Sequence, residues 1–122
     1  MKLTAVTAAA VLALAGNAEA WRVYLHSFTD FKGLTYTQAG PGDTGSKCFD
    51  LPEEYRYTAN SITYYAYNKQ TNPSTRCRIT LYDAQDCGSV IKGPSYSVDT
   101  KKALPDDWRN RVRAFKTECW AV

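Results

Sequence analysis

Hydrophobic and polar residues alternate along several short stretches of this chain. Trp21, Val23 and Leu25 fall on one face of the first stretch, and residues 76–82 alternate in the same way. A period of two is typical of a half-buried β-strand, and no stretch carries a helical stripe longer than a turn or two. The predicted strands are residues 21–26, 34–38, 47–51, 62–67, 76–82, 90–98, 101–104 and 112–120. The pattern therefore predicts an all-β protein.

The predicted strands follow one order that is written twice. Leu51-Pro52 and Leu104-Pro105 each form a corner, and each corner is followed by a similar stretch, residues 60–65 and 110–115. Each stretch opens with Asn, has a β-branched aliphatic residue two places on and an aromatic residue three places after that. Four strands repeated twice predict two four-stranded motifs that fold into a sandwich.

Residues 1–20 have the pattern of a secretory leader. Lys2 precedes an apolar run, and Ala18-Glu19-Ala20 matches an A-x-A cleavage site. We therefore expect an extracellular, secreted protein with one mature domain over residues 21–122. Its two motifs would span about residues 21–68 and 75–120. The apolar run is shorter than the ~20 residues of a membrane span, and we expect no transmembrane segment.

Composition narrows the class of partner. The formal net charge of +3 is mild, which argues against specific nucleic-acid binding. Four Cys in a secreted chain predict two disulfides, and counting alone allows three connectivities.

Short motifs in this chain resemble the βγ-crystallin fold, in particular its small secreted fungal or microbial members. The aromatic bend at residues 28–33 ends in Gly, and residues 82–88 resemble it with Cys87 in place of an aromatic residue. Asn60 and Asn110 each resemble the turn that opens the fourth strand of a family motif. The resemblance implies two Greek-key motifs in a disulfide-stabilised sandwich.

The resemblance also raises calcium binding, which many members of the family show. Asn60, Thr63 and Asn110 occupy degenerate positions of the family's calcium pattern, but Arg113 stands where an oxygen ligand is needed. Calcium takes six to eight oxygen ligands, and a guanidinium opposes the ion. We expect no bound metal and no cofactor, with Asn60 and Asn110 acting as turn residues.

Two disulfides are expected within this fold, Cys77–Cys119 and Cys48–Cys87. The first and fourth strands of a Greek key are antiparallel neighbours, so Cys77 at the start of one would meet Cys119 at the end of the other. Cys48–Cys87 follows by elimination and suits the exchange of strands between motifs in this family. The rival pairing Cys77–Cys87 requires a sharply folded bend.

Catalytic residues are not indicated. His26 is the only histidine, and an isolated strand histidine is most often an exposed polar residue. The pairs Glu53-Glu54 and Asp106-Asp107 are sequence neighbours in corners. Such neighbours point apart and do not form facing carboxylates. We therefore expect a protein that is not an enzyme.

Two surface features are candidates for binding. Arg76, Arg78, Arg111 and Arg113 fall on neighbouring predicted strands, with Lys116 nearby, which suggests an anionic partner. The alternative is a solubilising face paired with Asp83, Asp99 or Glu118. The second feature is a set of tyrosines predicted to face outward and able to stack on sugars: Tyr24, Tyr36, Tyr64 and Tyr82.

These features favour a secreted, non-enzymatic interaction protein, and the resemblance implies a fungal effector, a killer toxin or another antimicrobial. The alternatives are an inhibitor of an extracellular hydrolase and a structural domain with degenerate calcium positions. The expected partner is a host or target-cell protein, a polysaccharide or an anionic membrane surface. We expect a monomer.

Overall fold

The computed structural model describes residues 19–88 and 91–122, which form an all-β protein with two four-stranded antiparallel sheets. The eight strands are β1 (Glu19–His26), β2 (Thr35–Pro41), β3 (Gly45–Asp50), β4 (Ser61–Tyr65), β5 (Thr75–Tyr82), β6 (Lys92–Tyr96), β7 (Thr100–Ala103) and β8 (Ala114–Ala121). Single 3₁₀ turns span Glu53–Tyr55, Gln85–Cys87 and Asp106–Trp108. The last of these turns precedes β8.

The predicted leader lies largely outside the described residues. Its last two residues, Glu19 and Ala20, belong to β1, and Ala20 is fully buried. Cleavage immediately before Trp21 would remove these two residues from the strand.

The two sheets exchange one strand each. The first sheet has the order β2-β1-β4-β7 and the second has the order β3-β8-β5-β6. Strand β3 therefore leaves the first half of the chain to pair with β8, and β7 leaves the second half to pair with β4. Neither sheet is built from one half of the chain alone.

Aromatic rings fill the space between the sheets. Phe115 on β8 is fully buried and stacks on Phe49 with ring centroids 5.0 Å apart, while Trp21 on β1 meets Phe115 edge-on at 6.0 Å. Strand β2 lies close to Trp21 because Gly40 has no side chain. A Cβ at that position would lie 2.6 Å from the indole. The faces predicted from alternation are confirmed, since Trp21, Val23 and Leu25 are all buried.

The two Leu-Pro corners have matching hydrogen bonds. Arg56 Nε donates to the Leu51 carbonyl at 3.0 Å, and Arg109 Nε donates to the Leu104 carbonyl at 3.1 Å. Leu51 and Leu104 are both buried, and a 3₁₀ turn follows each of them. The first corner leads from the second sheet to the first, and the second corner leads back.

The four cysteines form two disulfides, Cys48–Cys87 and Cys77–Cys119. These are the two pairings that the sequence predicts, and the rival Cys77–Cys87 is absent because all four sulfurs are taken. Cys77 and Cys119 lie directly opposite in the β5–β8 register. Cys48–Cys87 ties β3 to the 3₁₀ turn Gln85–Cys87.

Candidate functional site

An open groove of about 400 Å³ lies beside the start of β1 and the end of β4. Its aromatic walls are Tyr24, Tyr65 and Tyr67, and its polar rim includes Arg22, Lys69 and Gln70. Arg22 and Tyr65 are partners in the β1–β4 register, so alternation along both strands places them on the same face. The groove therefore combines ring faces with hydrogen-bonding groups.

Two of the tyrosine rings form a corner in this groove. The Tyr24 and Tyr65 rings are perpendicular, with centroids 6.4 Å apart, and the Tyr65 side chain is 46% exposed. A planar ligand can lie on one of these rings while the other ring closes its side.

Arg22 is held in place at one end of the groove. Its guanidinium donates to both carboxylate oxygens of Glu19, at 2.5 and 3.2 Å, and to the Tyr24 hydroxyl at 3.3 Å. These hydrogen bonds raise the pKa of Arg22 further above its ordinary value. Glu19 neutralises this cation where the two side chains meet.

Arg76 covers the outer side of the third tyrosine. Its guanidinium lies 3.7 Å from the centroid of the Tyr67 ring and donates to the carbonyls of Pro73 and Thr75. A guanidinium over a tyrosine face is a favourable cation–π contact. The contact fixes Tyr67 and brings a positive charge next to the groove.

The turn after Tyr67 is fixed by hydrogen bonds. The Asn68 side-chain oxygen accepts from the backbone N–H groups of Gln70 and Thr71, and the Thr71 hydroxyl donates to the Glu19 carbonyl at 2.6 Å. Lys69 and Gln70 are exposed on this turn. Their side chains therefore extend from an ordered backbone.

His26 is buried, which corrects the expectation of an exposed strand histidine. Its two ring nitrogens lie 3.1 Å from the Thr35 hydroxyl and 3.0 Å from the Thr63 hydroxyl. Phe31 covers the imidazole edge-on, and Tyr24 lies parallel to it. Burial, together with the nearby charge of Lys101, lowers the pKa of His26. Both nitrogens are occupied, so the arrangement suits a structural histidine.

The four arginines proposed as one basic cluster lie in two places. Arg76 and Arg78 are at the start of β5, while Arg111 and Arg113 precede β8, whose first residue pairs with the far end of β5. Strand β8 begins at Ala114 and not at residue 112, so these two arginines belong to the corner.

The arginines at the corner are paired with acids. Arg111 donates to Asp83 at 3.0 Å, and Arg113 is buried with its guanidinium 3.5 Å from Asp50. Arg78 lies opposite Glu118 on β8. The prediction of a single four-arginine surface is therefore wrong, and Lys116 lies over the Tyr82 ring instead of joining such a surface.

The degenerate calcium positions are engaged within the protein. Asn60 donates from its side chain to the Asn110 side-chain oxygen at 3.0 Å and to the Ser27 carbonyl at 2.6 Å. The Asn60 side-chain oxygen is buried without a hydrogen-bond partner, and Thr63 contacts His26. Among the described residues, no group of three or more His, Cys, Asp or Glu side chains could hold a metal ion. Asn60 and Asn110 join the two halves of the chain.

The tyrosine prediction is right in part. Tyr24 lines the groove as an outward residue would, but Tyr36 packs against the core beside Phe115, and Tyr64 and Tyr82 are buried. The Tyr64 hydroxyl donates to the Cys77 carbonyl at 2.6 Å, and burial raises the pKa of that hydroxyl. Sequence analysis missed Tyr65 and Tyr67, which line the groove. The alternation of Ile62, Tyr64 and Ala66 as a buried set could have indicated them.

A second cavity, of about 280 Å³, lies near the connection between β2 and β3. It is lined by Trp21, Phe49, Lys47 and residues around Pro41 and Gly45. It offers fewer exposed rings and charges than the tyrosine groove.

Comparison with protein-family models, with curated proteins and with solved structures found no match to this chain. Within residues 19–88 and 91–122, no helix is long and apolar enough to cross a membrane.

Proposed function

We propose that this chain is a secreted, non-enzymatic binding protein of the βγ-crystallin type that acts as an effector, a killer toxin or another antimicrobial. The observation that carries the proposal is the tyrosine groove, an open concave surface of rings and cations on a disulfide-linked scaffold. Concave sites that combine aromatic side chains with a few placed polar groups are the usual form of a binding site.

The order of the strands supports the proposed family type. In each half the first, second and fourth strands lie together while the third crosses to the other sheet. Two Greek-key motifs that exchange their third strands would produce this order. The positive φ of Asn110, at 57°, agrees with its proposed role as a turn residue.

Exposure of target cells to the purified protein tests this function. The protein, expressed from the full chain in a secreting host, is applied to plant tissue, filamentous fungi and yeast, and cell death or growth arrest is scored. We expect activity on at least one target and a loss of activity in Tyr65→Ala. The matched control is Tyr57→Ala, because Tyr57 is 52% exposed at a corner away from the groove. No response on any target, or equal activity of the Tyr65→Ala protein, contradicts the proposal.

A further inference from the structure

The tyrosine groove has the size and shape of a small-molecule site. Its volume of about 400 Å³ falls within the roughly 300–1,000 Å³ that is usual for such sites. The perpendicular rings of Tyr24 and Tyr65 provide one flat surface and one side wall. A sugar ring presents a flat, C–H-rich face that packs on an aromatic ring. Its hydroxyl groups would reach the rim, where Gln70 and the tyrosine hydroxyls are available.

The charges around the groove select the class of sugar. Three cations, Arg22, Lys69 and Arg76, lie at or beside it, and one carboxylate, Glu19, is taken up by Arg22. Among the described residues, neither Lys69 nor Arg76 contacts a carboxylate, since Arg76 donates only to backbone carbonyls. The groove therefore has an excess of positive charge that a carboxylate or sulfate on the ligand can neutralise.

The shape argues against a membrane surface as the ligand. The rings of Tyr24 and Tyr67 are half-buried in a concave surface, so they cannot enter a lipid layer as an apolar tip. The exposed apolar side chains Phe28 and Leu34 lie at the opposite end of β1 from Arg22. A flat lipid surface therefore could not contact the cations and these apolar side chains at the same time.

We propose that the groove formed by Tyr24, Tyr65 and Tyr67 binds an acidic oligosaccharide, one that carries uronic-acid or sulfated sugars. This inference rests on the proposed binding function and names its ligand class. One sugar ring stacks on Tyr65, and its acidic group faces Lys69, while Arg76 adds positive charge from the outer side of Tyr67.

Calorimetric titration with defined oligomers tests the ligand class. The probes are short oligomers of galacturonic acid, sulfated oligomers of similar length and neutral oligomers of galactose. We expect binding of an acidic probe, no binding of the neutral one, and an affinity that falls about tenfold from low to high salt because the contacts are ionic. Equal binding of neutral and acidic oligomers overturns the proposal.

Three variants test the site. Tyr65→Ala should weaken binding about tenfold, as expected for one stacked ring, and Lys69→Gln should weaken it several-fold. In protein that keeps residues 19 and 20, Glu19→Gln should tighten binding several-fold, since it removes the one carboxylate in the groove and frees Arg22, and cleavage before Trp21 should have the same effect. The controls Tyr57→Ala, Lys32→Gln and Glu54→Gln make the same changes at exposed positions elsewhere and should leave the affinity unchanged. Loss of binding in Glu19→Gln contradicts the electrostatic argument.

Three further outcomes separate this inference from the proposed function. Binding to phosphatidylserine vesicles with no binding of any oligomer assigns the cations to a lipid surface and overturns the sugar site. Activity on target cells with no binding of acidic oligomers also overturns the sugar site and leaves the binding function standing. Oligomer binding without any cellular response supports the sugar site and overturns the effector or toxin role.

Discussion

The two sheets of this protein are stabilised in different ways. The second sheet, β3-β8-β5-β6, contains three of the four cysteines and is adjacent to the fourth, Cys87, so both disulfides restrain it. The first sheet, β2-β1-β4-β7, contains none of the cysteines and is crossed by the polar row Thr35, His26 and Thr63. The first sheet also provides most of the tyrosine groove.

The covalently restrained sheet is therefore not the sheet that provides most of the candidate groove. The first sheet depends on packing against a partner sheet that is covalently restrained. Because the first sheet packs through its inner face, its outer face can carry exposed rings and cations.

The largest loss of stability should come from the core residue that packs against side chains of both sheets. Phe115→Ala should destabilise the protein by about 3–5 kcal/mol, because its ring packs on Trp21 from the first sheet and on Phe49 from the second. Urea unfolding followed by tryptophan fluorescence measures the change. Trp120→Ala, at an exposed position of the same strand, should change stability far less. Separate unfolding transitions of the two sheets would contradict their dependence on this contact.

The disulfides should rank next. Replacing Cys77 and Cys119 by Ala should cost about 2–4 kcal/mol, and replacing Cys48 and Cys87 should cost somewhat less. The bridged residues are 42 and 39 positions apart, so the entropic contributions are nearly equal. Cys77 and Cys119 are buried while Cys48 and Cys87 are partly exposed, so the first pair also loses packing. A larger loss for the Cys48–Cys87 variant would reverse this ranking.

Acid should weaken the first sheet through His26. Burial lowers the pKa of His26 in the folded protein below its unfolded value of 6.5. The stability that neutral His26 contributes is therefore fully present above pH 6.5 and is lost as the pH falls through the lower folded value. Urea unfolding at a series of pH values should show this loss, smaller than that of a disulfide. His26→Gln should flatten the profile in this window, and an unchanged slope in that variant would assign the loss to other groups.

The smallest effect should be at the two corners that carry the chain between the sheets. Arg56→Gln and Arg109→Gln should each cost about 0.5–1.5 kcal/mol, because each removes one hydrogen bond to a Leu-Pro carbonyl. The ion pair of Arg109 with Asp106 should add little, since Asp106 is 92% exposed. Thermal unfolding measures the loss of stability in each variant, with Arg78→Gln as the control at a strand position. Clearly unequal costs would show that the corners are not equivalent.

Much of the fold follows from local pattern. Alternation predicts that Cys77, Ile79 and Leu81 face inward, and all three have no exposed surface. The repeated Leu-Pro corner predicts two similar halves, and the matching arginine hydrogen bonds agree with it. These signals come from residues that are close together in the chain, so they can be recognised in a single sequence.

The candidate site was harder to predict because long-range contacts decide it. His26 is buried because the bend after β1 folds back and places Phe31 over the ring. Arg113 is buried because Asp50, far away in sequence, lies beside it. The alternation of Ile62, Tyr64 and Ala66 marks the inward face, but it does not show that Tyr65 lies beside Tyr24 in one groove.

The exchange of β3 and β7 has a consequence for self-association. Without β7 the edge of β4 would be open, and without β3 the edge of β8 would be open, each with unpaired backbone groups. Open edges of this kind pair with other chains. Either half as a separate fragment would therefore expose a strand edge that can pair with a second copy of the fragment. With both halves in one polypeptide, the same pairing is completed within the molecule, as in a dimer whose subunits have been fused.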